Sequence, residues 1–332
     1  MALRVFHSAQ EWAAGVPQEC RAVLTIGNFD GVHTGHQRIL RALDQRAAAL
    51  RAADPAGAAR VQTAAVTFDP HPLKFLRPAE APALITTLGQ RLAAFADAGL
   101  DAALVLPFDA DLARIPAREF AGQVLVKQLR VRSILVGENF RFGYRHAGDV
   151  PLLTELGRQH GFDVDIIPPQ VYRGKLVSST LVREAVAAGR LSYAARLLGK
   201  AFALTGTIQP GEGRGRQMKF PTLNLAWEQE LMPCPGVYSG ETVLQGHSYA
   251  SAINVGFRPT FHGARITVES HLLNYSGTVD SGAMEVRFCF RLRDEKKFSG
   301  PEELRRQIAR DVARTERYMA VCCRVKATAG QV

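Results

Sequence analysis

The stretch Ala22–His36, AVLTIGNFDGVHTGH, decides the fold. Ala22-Val23-Leu24-Thr25-Ile26 is a continuous apolar run, the pattern of a strand buried on both faces. Gly27, Asn28, Phe29, Asp30 and Gly31 interrupt it as a loop, and a helix is predicted from about Thr34 through Ala53. His33 and His36 stand three residues apart, separated by Thr34 and Gly35, where strand gives way to helix.

The same alternation continues outward. AAVTFDP is a second buried strand, stopped by Pro70 and Pro72. LGQRLAAFADAG reads as a helix, AALVLPF as a strand, AREFAGQVLVKQL as a helix and RSILVG as a strand. LLTELGRQHG, DVDIIPP and SSTLVREAVAAG then read as helix, strand and helix. Near-continuous apolar strands alternating with helices predict a parallel sheet covered on both faces. Ligands in such sheets bind at the carboxyl ends of the strands, which is where the histidine loop lies.

Around residue 187 the texture changes. AAGRLSYAARLLGKAF reads as a short helical connector. Shorter alternating segments follow: FALTGTIQ, TLNLAW, GVYSGETVL, ASAINVG, RITVESHLLNY and AMEVRFCFRL, separated by turn signals such as QGHS and YSGT. These predict an antiparallel barrel. A last helix is expected from about Pro301 to Met319, with Leu304, Ile308 and Val312 as its apolar stripe. Arg305, Arg306, Arg310 and Arg317 read as its solvated face.

A chain of 332 residues fits about two domains. Its 47% hydrophobic and 22% charged residues place it among ordinary globular proteins. The first residues hold no apolar stretch long enough for a signal peptide, and no segment reaches the length of a spanning helix. A soluble, cytoplasmic protein with no membrane partner is expected. The five cysteines, Cys20, Cys234, Cys289, Cys322 and Cys323, form no CxxC pair and are expected to be reduced thiols. A formal charge of +10 attracts polyanions without choosing among nucleic acid, anionic lipid and phosphorylated small molecules.

A helix starting at His33-Thr34-Gly35-His36 presents free N–H groups and the positive end of its dipole, an anion site before side chains are counted. Gly27 and Gly31 let backbone approach a ligand. Two imidazoles there can hydrogen-bond a phosphate whose charge grows in a transition state. Asp30 either orients a histidine or contacts a sugar hydroxyl. A metal site is the competing reading of the histidine pair, but no third ligand stands nearby. The chain has neither a Walker A sequence nor GxGxxG.

GNFDGVHTGH resembles the HxGH signature of the nucleotidyltransferase superfamily, which is similar in fold to the catalytic core of class I aminoacyl-tRNA synthetases. The superfamily's second signature resembles VSSTLVR, Val177–Arg183. There Ser178, Ser179 and Thr180 supply hydroxyls and caps, and Arg183 a fixed charge for leaving pyrophosphate. TFDPHP (Thr67–Pro72) and VGENFRFGYRHAGD (Val136–Asp149) resemble the prokaryotic FAD synthetase module. The resemblance implies ATP contacts at Gly27, Asn28, Phe29, Asp30, Gly35 and Asn139. It implies flavin contacts at Phe68, Pro70, His71, Phe140 and Phe142, whose flat aromatic faces suit an isoalloxazine ring.

In the second half, GTIQPGEGRGRQMKFPTLNL (Gly206–Leu225) is basic and glycine-rich, then ordered. A flexible loop containing Gly213 and Gly215 can fold over phosphates. Thr222 and Asn224 alternate on a strand and face the same side, offering hard oxygen ligands for Mg²⁺ carried by a nucleotide. Glu269 stands in an otherwise apolar strand, where it can serve as a general base for a hydroxyl. FPTLNL resembles the PTAN motif of the riboflavin kinase module, with Leu223 where the family has alanine and Lys219 where it commonly has glycine. PGVYSG, AINVGFRPTF, VESHLLNY and LRDEKKFSGPEELRRQIARD follow in that family's order. The resemblance implies that Thr222 and Asn224 hold Mg-ATP and that Glu269 activates the 5′-hydroxyl of riboflavin.

Together these readings imply an α/β plus β-barrel protein: a Rossmann-like HxGH nucleotidyltransferase domain at 1–186, a connector at 187–200 and a riboflavin kinase domain at 201–332. The implied function is two-step FAD synthesis from riboflavin, with His33, His36, Arg183 and Glu269 as catalytic groups. ATP, riboflavin and FMN are the partners, with Mg²⁺ and no nucleic acid. An FMN adenylyltransferase with a degenerate kinase half is the alternative, resting on the Lys219 departure. A nucleic-acid-binding protein exploiting the +10 charge leaves the ordered barrel motifs unexplained.

Overall fold

The computed structural model describes residues 2–54, 60–210, 220–260, 263–277 and 279–329, without the side chains of 258–265 and 322–329. The chain forms two compact units, Met1–Ser179 and Thr180–Val332.

The first unit is built on six strands: β1 (Arg4–Phe6), β2 (Arg21–Ile26), β3 (Val61–Phe68), β4 (Ala102–Leu106), β5 (Val131–Gly137) and β6 (Asp163–Ile167). All pair in parallel, in the order β1-β4-β3-β2-β5-β6. From β2 the chain winds outward through β3 and β4, whereas β5 lies on the other side of β2. The junction of β2 and β5 is therefore the topological switch point, where loops leave a crevice at the strand ends.

Helices cover both faces, as the apolar strands require. Between β1 and β2 runs α1 (Ala9–Gly15); between β2 and β3 runs α2 (Thr34–Ala53). α3 (Pro72–Leu76) and α4 (Leu88–Asp97) lie between β3 and β4. α5 (Ala110–Arg114), α6 (Ala117–Glu119) and a π-turned segment, Phe120–Gln128, lead to β5, and α7 (Val150–His160) links β5 to β6. Alternate residues of β2 divide between the faces: Leu24 and Ile26 pack with Trp12, Val124 and Leu153, and Val23 packs with Leu43 and Ala47. The stretch expected as one regular helix, AREFAGQVLVKQL, takes the wider π turn, closed by Leu129 N–H donating to Val124 O at 2.9 Å. β1, only three residues long and mostly exposed, carries too little pattern to be read in advance.

A small hairpin of β7 (Val171–Tyr172) and β8 (Lys175–Leu176) precedes α8 (Ser179–Ala187) and α9 (Leu191–Leu198). The second unit then holds β9 (Phe202–Gln209), β10 (Leu223–Trp227), β11 (Gly236–Leu244), β12 (His247–Thr260), β13 (Gly263–Leu272) and β14 (Ala283–Arg293). These close an antiparallel barrel in the order β10-β13-β12-β11-β14-β9. Leu204, Leu225, Ile253, Val255, Val268, Val286 and Phe288 are fully buried among its inward-facing residues. The β11–β12 hairpin turns on Gln245 and Gly246, both at positive φ (49° and 82°), so QGHS is a true turn signal.

Two expectations are corrected here. The barrel strands are not uniformly short, since β12 runs 14 residues and β14 runs 11. The last helix runs Pro301–Ala329, ten residues beyond Met319. Its first turns are anchored by Asp311, 3% exposed, which accepts from Arg293 Nε at 2.9 Å and Nη2 at 2.8 Å. Arg305, Arg306, Arg310 and Arg317 are exposed, as a solvated face requires. Cys20, Cys234 and Cys289 form no disulfide. Among the described residues no helix is long and apolar enough to cross a membrane.

Candidate active sites

At the end of β2 the chain turns under strain. Phe29 and Val32 take positive φ of 50° and 40°. For a branched residue such as Val32 that region costs on the order of 1–3 kcal/mol, and it persists only where the surroundings impose it. They do so here. Phe29, 1% exposed, packs edge-on against Phe95 with ring centroids 5.2 Å apart. Its side chain thus belongs to the core, leaving its backbone to the loop. Asp30, 2% exposed, accepts from Ile85 N at 2.9 Å, Thr86 N at 3.1 Å and Thr86 Oγ1 at 3.2 Å. Gly31 N donates to Thr86 Oγ1 at 3.0 Å. The Asp30 carboxylate, expected at a histidine or a sugar hydroxyl, staples the loop to 85–86.

His33 caps α2: its Nδ1 accepts from His36 N at 3.3 Å, which puts the ring proton on Nε2. The two rings stack, centroids 3.7 Å apart and 13° from parallel. Gly35 permits this, because a Cβ there would lie 3.1 Å from two atoms of the His33 ring. His36 Nδ1 is buried with no hydrogen-bond partner among the described residues. Burial, and secondarily the neighbouring His33, hold its pKa well below the ordinary 6.5. The second signature meets the first through Ser179 Oγ, which donates to Asp30 O at 2.8 Å. Ser178 is half-buried beside it, Thr180 is exposed, and Arg183 lies one turn further along α8.

Beside this loop opens a cleft of about 1060 Å³. Gly27, Asn28, Phe68, His71, Asn139, Phe140 and Phe142 all line it. Phe140 and Phe142 stack at 5.6 Å and 12°, and Phe68 meets Phe108 edge-on at 5.7 Å. Pro70 is exposed and not part of the lining; Pro72 is. His71 Nδ1 lies 3.2 Å from Leu73 N, and its Nε2 lies 3.1 Å from Asn28 Nδ2.

In the barrel, register assembles the other constellation. Gln209 pairs with Asn224, Asn224 with Glu269 and Glu269 with Asn254, so four polar residues form a row across β9, β10, β13 and β12. Their neighbours Ile208, Leu225, Val268 and Ile253 point inward, leaving the row on the outer face. Thr222 precedes β10 rather than lying on it, and its Oγ1 stands 3.4 Å from Glu269 Oε2. His271 Nδ1, 2.8 Å from Pro221 O, and the Phe220 ring against His271 fix the approach to Thr222. Gly213, Gly215 and Lys219 lie outside the described residues. Asn254, contributed by β12 to the row beside Glu269, was not singled out from the sequence; only strand register reveals it. Hydroxyl, amide and carboxylate oxygens are the donor set that suits a hard cation such as Mg²⁺.

Paired imidazoles at a helix start on a parallel sheet, joined in one chain to a barrel with this oxygen-rich row, define a two-module transferase acting on nucleotides. Comparison with known proteins narrows the class. Residues 16–181 match the family model described as FAD synthetase, and residues 198–319 that described as riboflavin kinase. The bifunctional riboflavin kinase/FMN adenylyltransferase of Escherichia coli K12 is 37% identical over 297 residues, 89% of this chain and 91% of the relative. Its counterpart in Pseudomonas fluorescens is 37% identical over 298 residues (90% and 93%). That of Haemophilus influenzae is 33% identical over 311 residues (93% and 96%). A solved structure described as a macrolide-efflux protein from Streptococcus pneumoniae shares the fold, with a TM-score of 0.82 and 24% identity over 95% of this chain and 99% of that one. The chain belongs to the bifunctional riboflavin kinase/FMN adenylyltransferase family.

Proposed function

We infer that the chain makes FAD from riboflavin in two ATP-dependent steps, one in each half. The reading is carried by the stacked His33–His36 pair at the sheet's switch point, beside a cleft lined by the aromatic rings of Phe68, Phe140 and Phe142. The functional division is proposed as 1–186 for adenylyl transfer and 201–332 for the kinase, joined by 187–200.

In the kinase half, Glu269 takes the proton of the riboflavin 5′-hydroxyl, whose oxygen attacks the γ-phosphorus of ATP. The bond from that phosphorus to the bridging oxygen breaks, giving FMN and ADP. Thr222 and Asn224 hold the nucleotide with its Mg²⁺, which when bound offsets phosphate charge. Gly213 and Gly215 belong to the phosphate-covering loop in this proposal. Asn254 orients Glu269 from the neighbouring strand. Chemistry of this kind is mostly positioning plus charge stabilisation.

In the adenylyltransferase half, a phosphate oxygen of FMN attacks the α-phosphorus of ATP, and the bond to the β-phosphate oxygen breaks to release pyrophosphate. The Nε2 proton of His33 and the ring of His36 stabilise charge growing on the α-phosphate. Gly27, Asn28, Gly35 and Asn139, with Ser178, Ser179 and Thr180, contact ATP, and Arg183 meets the leaving pyrophosphate. Phe68, His71, Phe140 and Phe142 face the flavin. The enzyme is proposed to act on these small molecules in the cytoplasm, without nucleic acid.

The test is a time course with riboflavin, ATP and MgCl₂, the flavins resolved by chromatography. FMN should rise first and then give way to FAD. FAD from supplied FMN but nothing from riboflavin would reduce the chain to an adenylyltransferase.

A further inference from the structure

Arg91 lies on α4, remote in sequence from every motif above, yet it is only 3% exposed. Its Nη1 donates to Asn28 O, Thr67 Oγ1 and Phe68 O, each at 3.1 Å. Its Nη2 stands 3.5 Å from Asp69 Oδ1. Thr67 Oγ1 also donates to Asn28 O at 3.2 Å, so one guanidinium and one hydroxyl lace the ends of β2 and β3 together. Those two ends carry different duties. Asn28 opens the histidine loop, and Phe68 leads into the segment that presents His71 to the cleft. Arg91 fixes the spacing between the wall that holds ATP and the wall that holds flavin.

We propose that Arg91 is a positioning residue for adenylyl transfer, setting the registration of the FMN phosphate against the α-phosphate of ATP through Asn28 and Phe68. This rests on the adenylyltransferase reading of the cleft. Nη1 alone meets the three acceptors, and the rigid guanidinium plane sets Nη2 toward Asp69 at the same time; a lysine ammonium is a single point charge with no second nitrogen and no fixed plane. Small misplacements of reacting groups lower turnover far more than they lower binding.

The experiment compares wild type, Arg91→Lys and Thr67→Val, with both activities measured in each preparation below its melting temperature. Wild type must convert FMN to FAD; if it does not, the adenylyltransferase reading itself falls. Given that activity, Arg91→Lys should lose at least tenfold in adenylyltransferase kcat with the KM for ATP within about threefold. Riboflavin phosphorylation by the same preparation should be unchanged. Thr67→Val keeps Arg91 in place and should show the same kcat-weighted loss, about threefold, which covers the case of an Arg91→Lys chain that does not fold. A lowered melting temperature with kcat within twofold of wild type would make Arg91 a purely structural residue, and the same result in Thr67→Val would overturn the proposal.

Discussion

His36 is pulled two ways: the site needs hydrogen-bond donors for an anion, while burial and, secondarily, the stacked His33 disfavour a positive charge on its ring. Its folded-state pKa lies below 6.5, so between that value and 6.5 the unfolded chain binds more protons than the folded one. Stability of the first unit therefore falls as pH drops below 6.5, and His36→Gln should flatten that slope in urea titrations at stepped pH. His36→Ala should also abolish FAD formation and spare FMN formation; persistence of FAD synthesis near the wild-type rate would remove the histidine from the mechanism. The pair itself was legible, because a strand end, two glycines and a helix start leave few other uses for it. The Asp30 staple to Thr86 was not, since its partners sit 55 and 56 residues away and no local pattern announces them. Arg91 was illegible for the same reason: within LGQRLAAFADAG it reads as the polar residue of an amphipathic helix.

At the scale of elements, register does what motifs do not. Thr222, Asn224 and Glu269 were each visible as single residues, but the Gln209–Asn224–Glu269–Asn254 row exists only once β9, β10, β13 and β12 are aligned. A one-residue slip would turn each member to the opposite face. Gly206 guards that alignment. It pairs with Trp227 on β10 and with Met284 on β14, and a Cβ there would fall on the carbonyl oxygen of Ala226. Side-chain atoms yield; a strand carbonyl in a closed barrel does not. Gly206→Ala should therefore cost about 3 kcal/mol of barrel stability, near the upper end for overpacking. It should depress riboflavin kinase turnover and leave FMN adenylylation intact, readable by denaturant melts and the two assays side by side. The alternation of strands and helices in the first half was readable because parallel strands are apolar throughout. β1 was not, because an edge strand of three residues has neither length nor period.

At the scale of the whole molecule, each compact unit has its own sheet, its own buried core and its own candidate site. His33, His36 and the aromatic cleft belong to the first unit, and Thr222, Asn224 and Glu269 to the second. The one species the two reactions share is FMN, the product of one and the substrate of the other. Damage to one site should then be repaired by an intact copy of the other, provided FMN passes through solution. His36→Ala, competent only as a kinase, and Glu269→Gln, competent only as an adenylyltransferase, should each fail to make FAD from riboflavin. Mixed in equal amounts with ATP and MgCl₂, they should restore FAD production after a lag in which free FMN accumulates. The lag should shorten as the Glu269→Gln variant is added in excess, because that variant consumes the released FMN. Failure of the mixture, with each variant still performing its own half-reaction, would mean that FMN is not released to solution between the two steps.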